Sequence, residues 1–387
     1  MPASPSRDFQ SPPPFTNAVD GHRVTMLARG EDRRRALLAM IDEARETLDL
    51  CFYIYAKDRA GVEVREALVR AVRRGVRTRV ILDSFGSEAD ADFFADFIDA
   101  GGSFSCFSPR LTQRYLIRNH QKMVIADGTK AVFGGFNIAD DYFGLEEDNW
   151  VDLGIRIEGP GVAGLAEWFN LLAGWTSTPR PRFLAVRRTV KRWHRVHGPL
   201  EWLVGGPSQG LSSWARRVKA DLQHGRSLHM IMAYFSPSKQ ALQLVGRTAR
   251  RGAAHLVLAA RSDNTATVSA TRSLYDYLLA RGVEVFEFQP AKLHTKLIVV
   301  DDVVYLGSAN FDMRSLYLNL ELMLRIEDPA LAERMRAFVL QHESASEHIT
   351  ADVHRARAGL LNRLRWNLSW LLVTVIDYTV TRRLNLG

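Results

Sequence analysis

The sequence has few cysteines and no long apolar run. Only two cysteines occur in its 387 residues, Cys51 and Cys106, and both stand in apolar segments typical of strands. This pattern predicts buried free thiols rather than a disulfide framework, and it fits a reducing compartment. No segment offers about 18 uninterrupted apolar residues, so we predict no transmembrane helix and expect any membrane contact to be peripheral.

The sequence is also short of acidic residues and of closely spaced metal ligands. It has 51 Lys and Arg against 43 Asp and Glu, which gives a formal net charge of +8 with neutral histidine. A basic balance suits an anionic partner, either nucleic acid or an acidic membrane surface. His-x-x-x-His and paired-cysteine motifs, which commonly hold zinc, are missing from the sequence. We therefore expect neither a metal nor a cofactor.

The sequence does contain one polar motif twice, and this duplication is its most informative feature. The copies read His120-Gln121-Lys122, Asp127 and Gly134-Gly135-Phe136-Asn137, and then His294-Thr295-Lys296, Asp301 and Gly307-Ser308-Ala309-Asn310. A single His-x-Lys near an acid arises often by chance. Two copies in matched surroundings are much harder to dismiss, and together they can build one phosphodiester site from two similar halves.

The repeat extends well beyond the motif. In each half a strand-forming run precedes a helical pattern that ends in Arg-Arg-Gly, and a second helical pattern and further apolar strands follow. This alternation predicts an α/β fold, with two α/β/α repeats related by pseudo-twofold symmetry and a site at their interface. The predicted divisions are a flexible N-terminal tail at 1–20, a first half at 21–175, a basic linker at 176–200, a second half at 201–340 and a C-terminal helical, membrane-interfacial tail at 341–387.

Each motif histidine stands two residues before a lysine, at the start of an apolar strand. Alternate residues of a strand share one face, so His120 projects with Lys122 and His294 with Lys296. The ammonium groups can neutralise phosphate oxygens, while one imidazole attacks phosphorus and the other moves a proton. Side chains at similar offsets can add hydrogen bonds: Asn137, Asn310 and, in the second motif alone, Ser308.

Two kinds of acidic residue accompany the motifs. Asp152 and Glu321 occupy equivalent places in the segment that closes each half, and we expect each to accept a hydrogen bond from the histidine of its own half. Asp127 and Asp301 stand seven residues after the histidines, an odd offset that favours the opposite face of a strand. We interpret them as structural support of the site, tying the turn that follows.

At these residues the chain resembles the phospholipase D superfamily, whose signature is His-x-Lys-x4-Asp in duplicate. The resemblance covers about residues 25–340 and implies two phospholipase D-like repeats that share one active site. It also implies metal-independent catalysis through a phospho-histidine, with His120 as nucleophile and His294 as general acid and base. The implied catalytic set is His120, Lys122, Asn137, Asp152, His294, Lys296, Ser308, Asn310 and Glu321.

Within the superfamily the motifs are most similar to those of bacterial cardiolipin synthases, of the short type without N-terminal transmembrane helices. Residues 134–140, 150–152 and 310–316 carry this similarity. It implies phosphatidyl transfer from one phospholipid to phosphatidylglycerol, with release of an alcohol such as glycerol. The alternative is hydrolysis through the same intermediate, by a phospholipase D or a nucleic-acid phosphodiesterase.

Two segments are candidates for membrane contact. The basic linker combines arginine and lysine with aromatic residues, and residues 360–380 mix leucine, tryptophan and arginine. We predict peripheral attachment to an anionic phospholipid membrane, on the cytoplasmic face of a bacterial inner membrane. Packing of the C-terminal stretch on the protein's own core or on a second subunit is the alternative, so a homo-oligomer stays open; nucleic acid is not favoured as a partner. The predicted membrane-binding residues are Arg187, Arg188, Lys191, Arg192, Trp193, Trp366 and Trp370.

Overall fold

The computed structural model of the chain describes residues 9–108, 117–146, 148–177, 183–208 and 210–376. Its strands are β1 (Phe15–Val19), β2 (His22–Leu27), β3 (Thr47–Phe52), β4 (Arg77–Asp83), β5 (Ser103–Phe107), β6 (Met123–Ala126), β7 (Lys130–Gly134), β8 (Trp150–Val151), β9 (Gly154–Glu158), β10 (His194–His197), β11 (Leu200–Gly205), β12 (Ser227–Met232), β13 (Phe235–Ser236), β14 (Ala253–Ala259), β15 (Glu284–Phe288), β16 (Lys292–Leu293), β17 (Lys296–Val300), β18 (Val303–Gly307), β19 (Phe311–Asp312), β20 (Glu321–Glu327) and β21 (Ser346–His348). Its α-helices are α1 (Gly30–Glu43), α2 (Arg59–Arg73), α3 (Ala95–Asp99), α4 (Val162–Ser177), α5 (Phe183–Arg192), α6 (Ser213–His224), α7 (Lys239–Arg251), α8 (Thr265–Arg272), α9 (Tyr275–Leu279), α10 (Met313–Tyr317), α11 (Pro329–Ser344), α12 (Ala351–Arg357) and α13 (Leu360–Trp370). A 3₁₀ turn covers Asp140–Tyr142, and a π-helical segment at Leu371–Ile376 continues α13.

The strands form two large sheets with the same internal order. The first runs β1-β2-β9-β7-β6-β3-β4-β5 and the second β10-β11-β20-β18-β17-β12-β14-β15-β21. Each strand of the first sheet therefore has a counterpart in the second, which adds only β21 at its edge. Within these two sheets, the pairs β3–β4 and β4–β5 are parallel, as are β12–β14 and β14–β15, and the remaining pairs are antiparallel. The predicted α/β fold of two repeats is confirmed.

The two sheets pack against each other around a shared core. This core takes residues from both sheets and from α4 and α11, and it includes the rings of Phe133 and Trp202, whose centroids are 5.1 Å apart. The outer face of the first sheet is covered by α1, α2 and α3, and that of the second by α6, α7 and α9. Because both faces of each sheet are covered, the motif strands β6 and β17 are buried throughout, and they are apolar except for Lys296 at the start of β17.

The first strand lies in the segment that the sequence predicts as a flexible tail. β1 pairs with β2 through Asp20 and Gly21, whose φ angles are 43° and 72°. Two positive φ angles are typical of a tight hairpin turn, and Asp-Gly is a favoured sequence for it. The tail prediction is therefore wrong for residues 15–19, because this local hairpin signal outweighs the Pro- and Ser-rich composition of the segment. Residues 1–8 lie outside the described residues.

Other predicted divisions also fall inside elements of the structure. α4 continues past residue 175 and α11 past residue 340, and β21 joins the second sheet beyond that point. The described part of the basic linker forms α5 and then β10, which is the edge strand of the second sheet. These elements pack on the two halves. The boundaries of the structural units therefore lie a few residues away from the predicted ones.

The helix α5 packs on the protein through its apolar side. Val186 and Val190 are buried, and Trp193, which is 4% exposed, places its ring 4.9 Å from that of Trp168. The prediction that Trp193 contacts a membrane is therefore wrong, because the ring is part of the central core. The predicted basic residues Arg188, Lys191 and Arg192 are exposed, and Arg187 is partly buried.

The C-terminal helix α13 is amphipathic, with an orientation opposite to the predicted one. Trp366 is 4% exposed and stacks on His354, and Trp370 packs against the outer core of the second half. The prediction that these tryptophans contact a membrane is wrong, because both rings face the protein. The opposite side of α13 carries leucines. In the described ranges no helix is both long and apolar enough to cross a membrane.

Candidate active site

The backbone that leads into each histidine is hydrogen-bonded to the other half of the chain. The His120 amide donates to the Leu320 carbonyl at 2.9 Å, and the His294 amide donates to the Val151 carbonyl at 2.8 Å. The two halves therefore cross at two places. At the crossing next to His294, β16 pairs with β8 as a short parallel ladder, and at the crossing next to His120, Asn119 forms a bridge with Leu320. The two crossings are equivalent in the repeat and bring both motifs into one site.

Each histidine is paired with the acid of the opposite half. His120 Nδ1 lies 3.0 Å from Glu321 Oε2, and His294 Nδ1 lies 2.6 Å from Asp152 Oδ2. The expected pairing within a half is therefore wrong. The crossed backbone is the physical reason, because the residue that accepts each histidine amide immediately precedes the acid that holds the same ring.

These contacts fix the tautomer of both rings. A carboxylate can only accept a hydrogen bond, so the Nδ1 atom of each imidazole carries the proton and donates it. The Nε2 atom is then left with its lone pair for a substrate. Both carboxylates are fully buried, so the rings are held by charge-assisted hydrogen bonds that water does not weaken.

Both motif lysines are buried and bound to the backbone of their own motif. Lys122 Nζ donates to the His120 carbonyl at 2.6 Å, and Lys296 Nζ donates to the His294 carbonyl. Burial lowers the pKa of Lys122 to about 7 and the pKa of Lys296 to about 8. The charge of Lys296 contributes to the decrease at Lys122, so ammonium groups from the two halves act on one another across the site.

Burial also lowers the pKa of both histidines. The pKa of His294 falls to about 3, with Lys296 adding to the decrease and Asp152 opposing it. The pKa of His120 is lowered as well, although Glu321 raises it in part. Burial raises the pKa of Asp152, but His294 and Lys296 lower it by more, so its pKa lies below the ordinary value. Before a substrate binds, both imidazoles are therefore neutral near pH 7.

The two half-sites differ where one motif has glycine and the other serine. Ser308 Oγ donates to Glu321 Oε2 at 2.5 Å. A Cβ atom built on Gly135 would lie 2.6 Å from Asp152 Oδ1 and 3.0 Å from Lys296 Cδ. The aspartate half-site thus has no room for a side chain at this position, whereas the glutamate half-site uses a hydroxyl there. Each carboxylate accepts a second hydrogen bond besides that of its histidine, but Glu321 receives it from the Ser308 hydroxyl and Asp152 from the Leu153 backbone amide at 2.7 Å.

The two asparagines are bound differently. Asn137 Oδ1 accepts from the Ile54 amide at 3.1 Å, and its side chain also hydrogen-bonds the Tyr142 hydroxyl. Asn310 Oδ1 is buried and has no hydrogen-bond partner among the described residues, and the same holds for Glu321 Oε1. Unpaired buried acceptors are costly, and these two can accept from the hydroxyl of a bound substrate.

Aromatic rings flank both histidines. The ring centroid of Tyr53 lies 4.8 Å from that of His120, and those of Tyr142 and Trp150 lie 5.2 Å and 5.3 Å from that of His294. Such walls restrict water around the reacting groups. Sequence reasoning missed the two tyrosines. Tyr53 follows the carboxyl end of β3, and Tyr142 stands five residues after the motif residue Asn137, so the available signals are an aromatic residue at a strand end and one shortly after a motif.

Sequence reasoning also missed Arg33, which is buried on α1. Its guanidinium donates to the backbone carbonyls of Asp152 at 2.6 Å and Tyr142 at 2.8 Å, so it anchors the segments that surround His294. Arg33 stands four and seven residues before Leu37 and Met40, on the buried face of α1. A charged residue at an apolar helical position is a signal that the sequence contains.

Asp127 and Asp301 do not reach the histidines. The Asp127 carboxylate accepts from the amides of Glu46 and Thr47 at 2.8 Å and 3.0 Å, and Asp301 accepts from the Ser227 amide at 2.9 Å. Both residues have positive φ angles, 52° and 49°. Each aspartate joins the hairpin after its motif strand to the start of the neighbouring strand, which is β3 for Asp127 and β12 for Asp301. Their structural role therefore extends beyond the turn that follows the motif strand.

The polar groups of the site suit an anion. Besides its bond to a backbone carbonyl, each of the two lysine ammonium groups has further N–H donors, which match the non-bridging oxygens of a phosphodiester. Over the described ranges, no group of three His, Cys, Asp or Glu side chains is arranged to hold a metal ion. The geometry therefore offers two nucleophilic imidazole nitrogens beside two cations.

Comparisons with known proteins agree with this geometry. Residues 37–171 and 219–342 match the family described as "Cardiolipin synthase, PLD-like domain". The chain is 30% identical over 373 residues to cardiolipin synthase B of Escherichia coli (strain K12), covering 90% of this chain and 86% of that protein. It is 28% identical over 376 residues to the major cardiolipin synthase ClsA of Bacillus subtilis (strain 168), covering 92% and 76%.

A solved structure shows the same fold. The crystal structure of phosphatidylserine synthase from Haemophilus influenzae Rd KW20 superimposes with a TM-score of 0.71 at 15% identity, covering 91% of this chain and 95% of that one. At this identity the similarity extends to the fold alone. It matches the arrangement of two repeats seen here.

Proposed function

The chain belongs to the cardiolipin synthase family of phospholipase D-like enzymes, and we propose that it transfers a phosphatidyl group to phosphatidylglycerol through a phospho-histidine. The observation that supports this proposal is the pair of crossed histidine–acid contacts, with both lysines buried in the same site. Two histidines oriented by separate acids suit a double displacement, in which one forms the covalent intermediate and the other moves the proton.

The first step forms the intermediate. His120 Nε2 attacks the phosphorus atom of the donor phospholipid, and the bond from phosphorus to the headgroup oxygen breaks. His294 takes up a proton from solvent at Nε2 when the anionic substrate binds, and it gives that proton to the departing oxygen, which leaves as an alcohol such as glycerol. The negative charge of the bound phosphodiester favours the protonated form of His294, because a nearby anion raises the pKa of an imidazole. Lys122 and Lys296 neutralise the charge that builds on the phosphate oxygens.

The second step releases the product. His294, now neutral, takes the proton from a hydroxyl of phosphatidylglycerol, and that oxygen attacks phosphorus. The nitrogen–phosphorus bond to His120 breaks, and the histidine returns to its starting state. One phosphodiester is exchanged for another, so the reaction needs no external energy source.

Hydrolysis is the second candidate, because water can replace the lipid hydroxyl without any change in the first step. The aromatic rings beside His120 and His294 favour transfer, since they restrict water at the place where the acceptor must enter. The curated relatives named above are cardiolipin synthases, which also favours transfer.

A product assay tests the proposal. Purified protein is incubated with phosphatidylglycerol vesicles, and lipids and free glycerol are quantified. We expect cardiolipin and glycerol in equal amounts, no product from His120→Ala, and full activity from His348→Ala, an exposed histidine on β21 that pairs with Glu284. Phosphatidic acid as the main product would establish hydrolysis instead, and cleavage of DNA would establish the nucleic-acid alternative.

We further propose that the protein acts at the cytoplasmic face of a bacterial inner membrane, bound peripherally to anionic lipid. The exposed basic side chains of α5, Arg188, Lys191 and Arg192, support an anionic surface as partner. Fractionation of cells, followed by protease treatment of spheroplasts and of inverted vesicles, tests the location. Digestion in spheroplasts would contradict the cytoplasmic face.

A further inference from the structure

The C-terminal helix α13 and its continuation expose a row of leucines. Leu360, Leu361 and Leu364 are 89%, 84% and 67% exposed. Three more exposed leucines follow, Leu368, Leu371 and Leu372. The other exposed large apolar side chains of the described residues are far apart in the sequence, whereas these six lie together along α13 and its π-helical continuation. We call them the leucine face.

The leucine face is a continuous stripe. At 3.6 residues per turn, the four leucines of α13 fall within an arc of roughly 100°. Trp366 and Trp370 lie on the opposite side, where they pack on the protein. The helix is therefore attached by its tryptophans and presents its leucines outwards, which leaves an apolar stripe without a partner in the described structure.

The position of α13 relates this stripe to the active site. Arg363 Nη1 binds Asp276 Oδ2 of α9 at 2.8 Å near the start of α13, and the π-helical segment at its end contacts α8. α8 follows β14 at the carboxyl end of that strand. The parallel strand β12 ends at Met232, which pairs with the catalytic Lys296 at the same sheet edge. The leucine face thus leads towards the edge of the sheet that carries the site.

The leucine face could be covered by a second copy of the chain or by a lipid bilayer, and the charge of α13 distinguishes between the two. α13 contains two arginines and no acidic residue. Arg365 is exposed at the border of the leucine face. In a symmetric contact between two copies, each side would present the same patch. Arg363 is already paired with Asp276, and the Arg365 side chains of both copies would lie at the contact with no acidic residue of α13 to pair them. An anionic bilayer instead offers phosphates to the arginine and acyl chains to the leucines.

We propose that the leucine face of α13 inserts into an anionic lipid bilayer and holds the active site at its surface. The choice of a lipid partner rests on the proposed function. The leucines enter the boundary between headgroups and acyl chains, Arg365 binds headgroup phosphate, and the tryptophans keep the helix attached to the second half. Membrane contact is thus made by residues other than the tryptophans that the sequence singles out.

Vesicle binding by the 387-residue chain tests this proposal. The protein carries His120→Ala to prevent turnover and is sedimented with vesicles of phosphatidylglycerol and phosphatidylcholine in equal parts. Leu361→Gln with Leu364→Gln removes two exposed leucines and keeps helix propensity, because Gln and Leu are similar in that respect. The matched control is Leu171→Gln with Leu340→Gln, two exposed leucines on α4 and α11.

We expect the α13 double variant to bind vesicles roughly tenfold or more weakly, given the apolar area that two leucines bury, and the control to bind as the parent does. Arg365→Gln should reduce the preference for phosphatidylglycerol over pure phosphatidylcholine vesicles. Unchanged binding of the α13 variant, or no binding by the parent, would overturn the proposal. A parent dimer that this variant converts to a monomer would assign the face to a second copy.

The outcome of the vesicle-binding test does not depend on whether the proposed reaction occurs. Binding is measured in a chain that cannot turn over, so absence of cardiolipin in the product assay leaves it unaffected. Conversely, the α13 double variant with His120 intact should process phosphatidylglycerol dispersed in detergent micelles at the parent rate. Only its rate on vesicles should fall, which a damaged active site would not produce.

Discussion

His294 Nδ1 lies 2.6 Å from Asp152 Oδ2, although 142 residues separate the two in the chain. The equivalent contact joins His120 to Glu321 across 201 residues. Each half of the protein therefore supplies a histidine whose orientation depends on the other half. Neither half alone can form a complete histidine–acid pair, so the site exists only when both halves are folded and docked.

The crossed pairing predicts which histidine responds to which acid. Asp152→Asn should change the imidazole ¹⁵N chemical shifts of His294 and leave those of His120 nearly unchanged, and Glu321→Gln should do the reverse. Each variant should lose roughly 10²–10⁴-fold in kcat, as expected when the acid that fixes a tautomer is removed. A shift at the histidine of the same half would contradict the crossed arrangement.

The lysine pKa values predict opposite pH dependences for activity and stability. As pH rises through about 7 and 8, Lys122 and Lys296 lose their charge, so kcat/KM for an anionic substrate should fall. The unfolded chain still binds these protons up to a pKa of about 10.5, so their contribution to the free energy of unfolding should rise with pH across that window. Rate profiles and denaturant titrations at several pH values measure both.

Variants separate this effect from the rest of the titration. Lys122→Met should remove part of the rise in the free energy of unfolding between about pH 7 and 10. Lys239→Met, at an exposed lysine of α7, should leave that rise unchanged. Equal pH profiles for both variants would show that the buried lysine keeps an ordinary pKa.

Substitution at Gly135 should be more damaging than at Ser308. Gly135→Ala places a Cβ atom 2.6 Å from the buried Asp152 Oδ1, so the carboxylate must move and His294 loses its fixed orientation. Ser308→Ala removes one hydrogen bond to Glu321, which costs about 1.5–3 kcal/mol for a charged acceptor. We expect kcat to fall severely for Gly135→Ala and partially for Ser308→Ala. Equal losses would contradict the unequal half-sites.

Arg33 should act as a positioning residue. Arg33→Met leaves the buried carbonyls of Asp152 and Tyr142 without their donor, at a cost of about 1–3 kcal/mol each. We expect a lower melting temperature, a lower kcat with KM little changed, and altered ¹⁵N shifts at His294 but not at His120. A variant that loses stability while its kcat and His294 shifts stay unchanged would limit Arg33 to a structural role.

Asp127 should be structural although it belongs to the motif. Asp127→Ala removes the acceptor of the Glu46 and Thr47 amides and places alanine at a φ of 52°. Together these changes should cost about 2–3 kcal/mol of stability, with kcat of the folded protein little changed. Asp127→Asn tolerates the same φ and keeps an acceptor, so it should recover most of the stability. A large loss of kcat in Asp127→Asn would assign it a catalytic role.

Much of the site could be predicted because the information is local. Each histidine stands two residues before a lysine that lies directly before or at the start of a buried strand, because β6 begins at Met123 and β17 at Lys296. The Asp-Gly pair of the hairpin at Asp20 and the helical spacing of Arg33 with Leu37 and Met40 are also local signals in the sequence, although neither belongs to the repeated motif. The tryptophans of α13 show the limit, since an amphipathic sequence does not reveal which face meets the protein.

The sequence by itself determined the repeat, the α/β fold and the candidate residues of the site, because strand periodicity and motif spacing are properties of neighbouring residues. Only the tertiary structure decided which acid holds which histidine, that Gly135 must lack a side chain, and that α13 turns its leucines outwards. Each of these depends on where segments far apart in the chain cross and on what volume remains between them, and no local pattern encodes that.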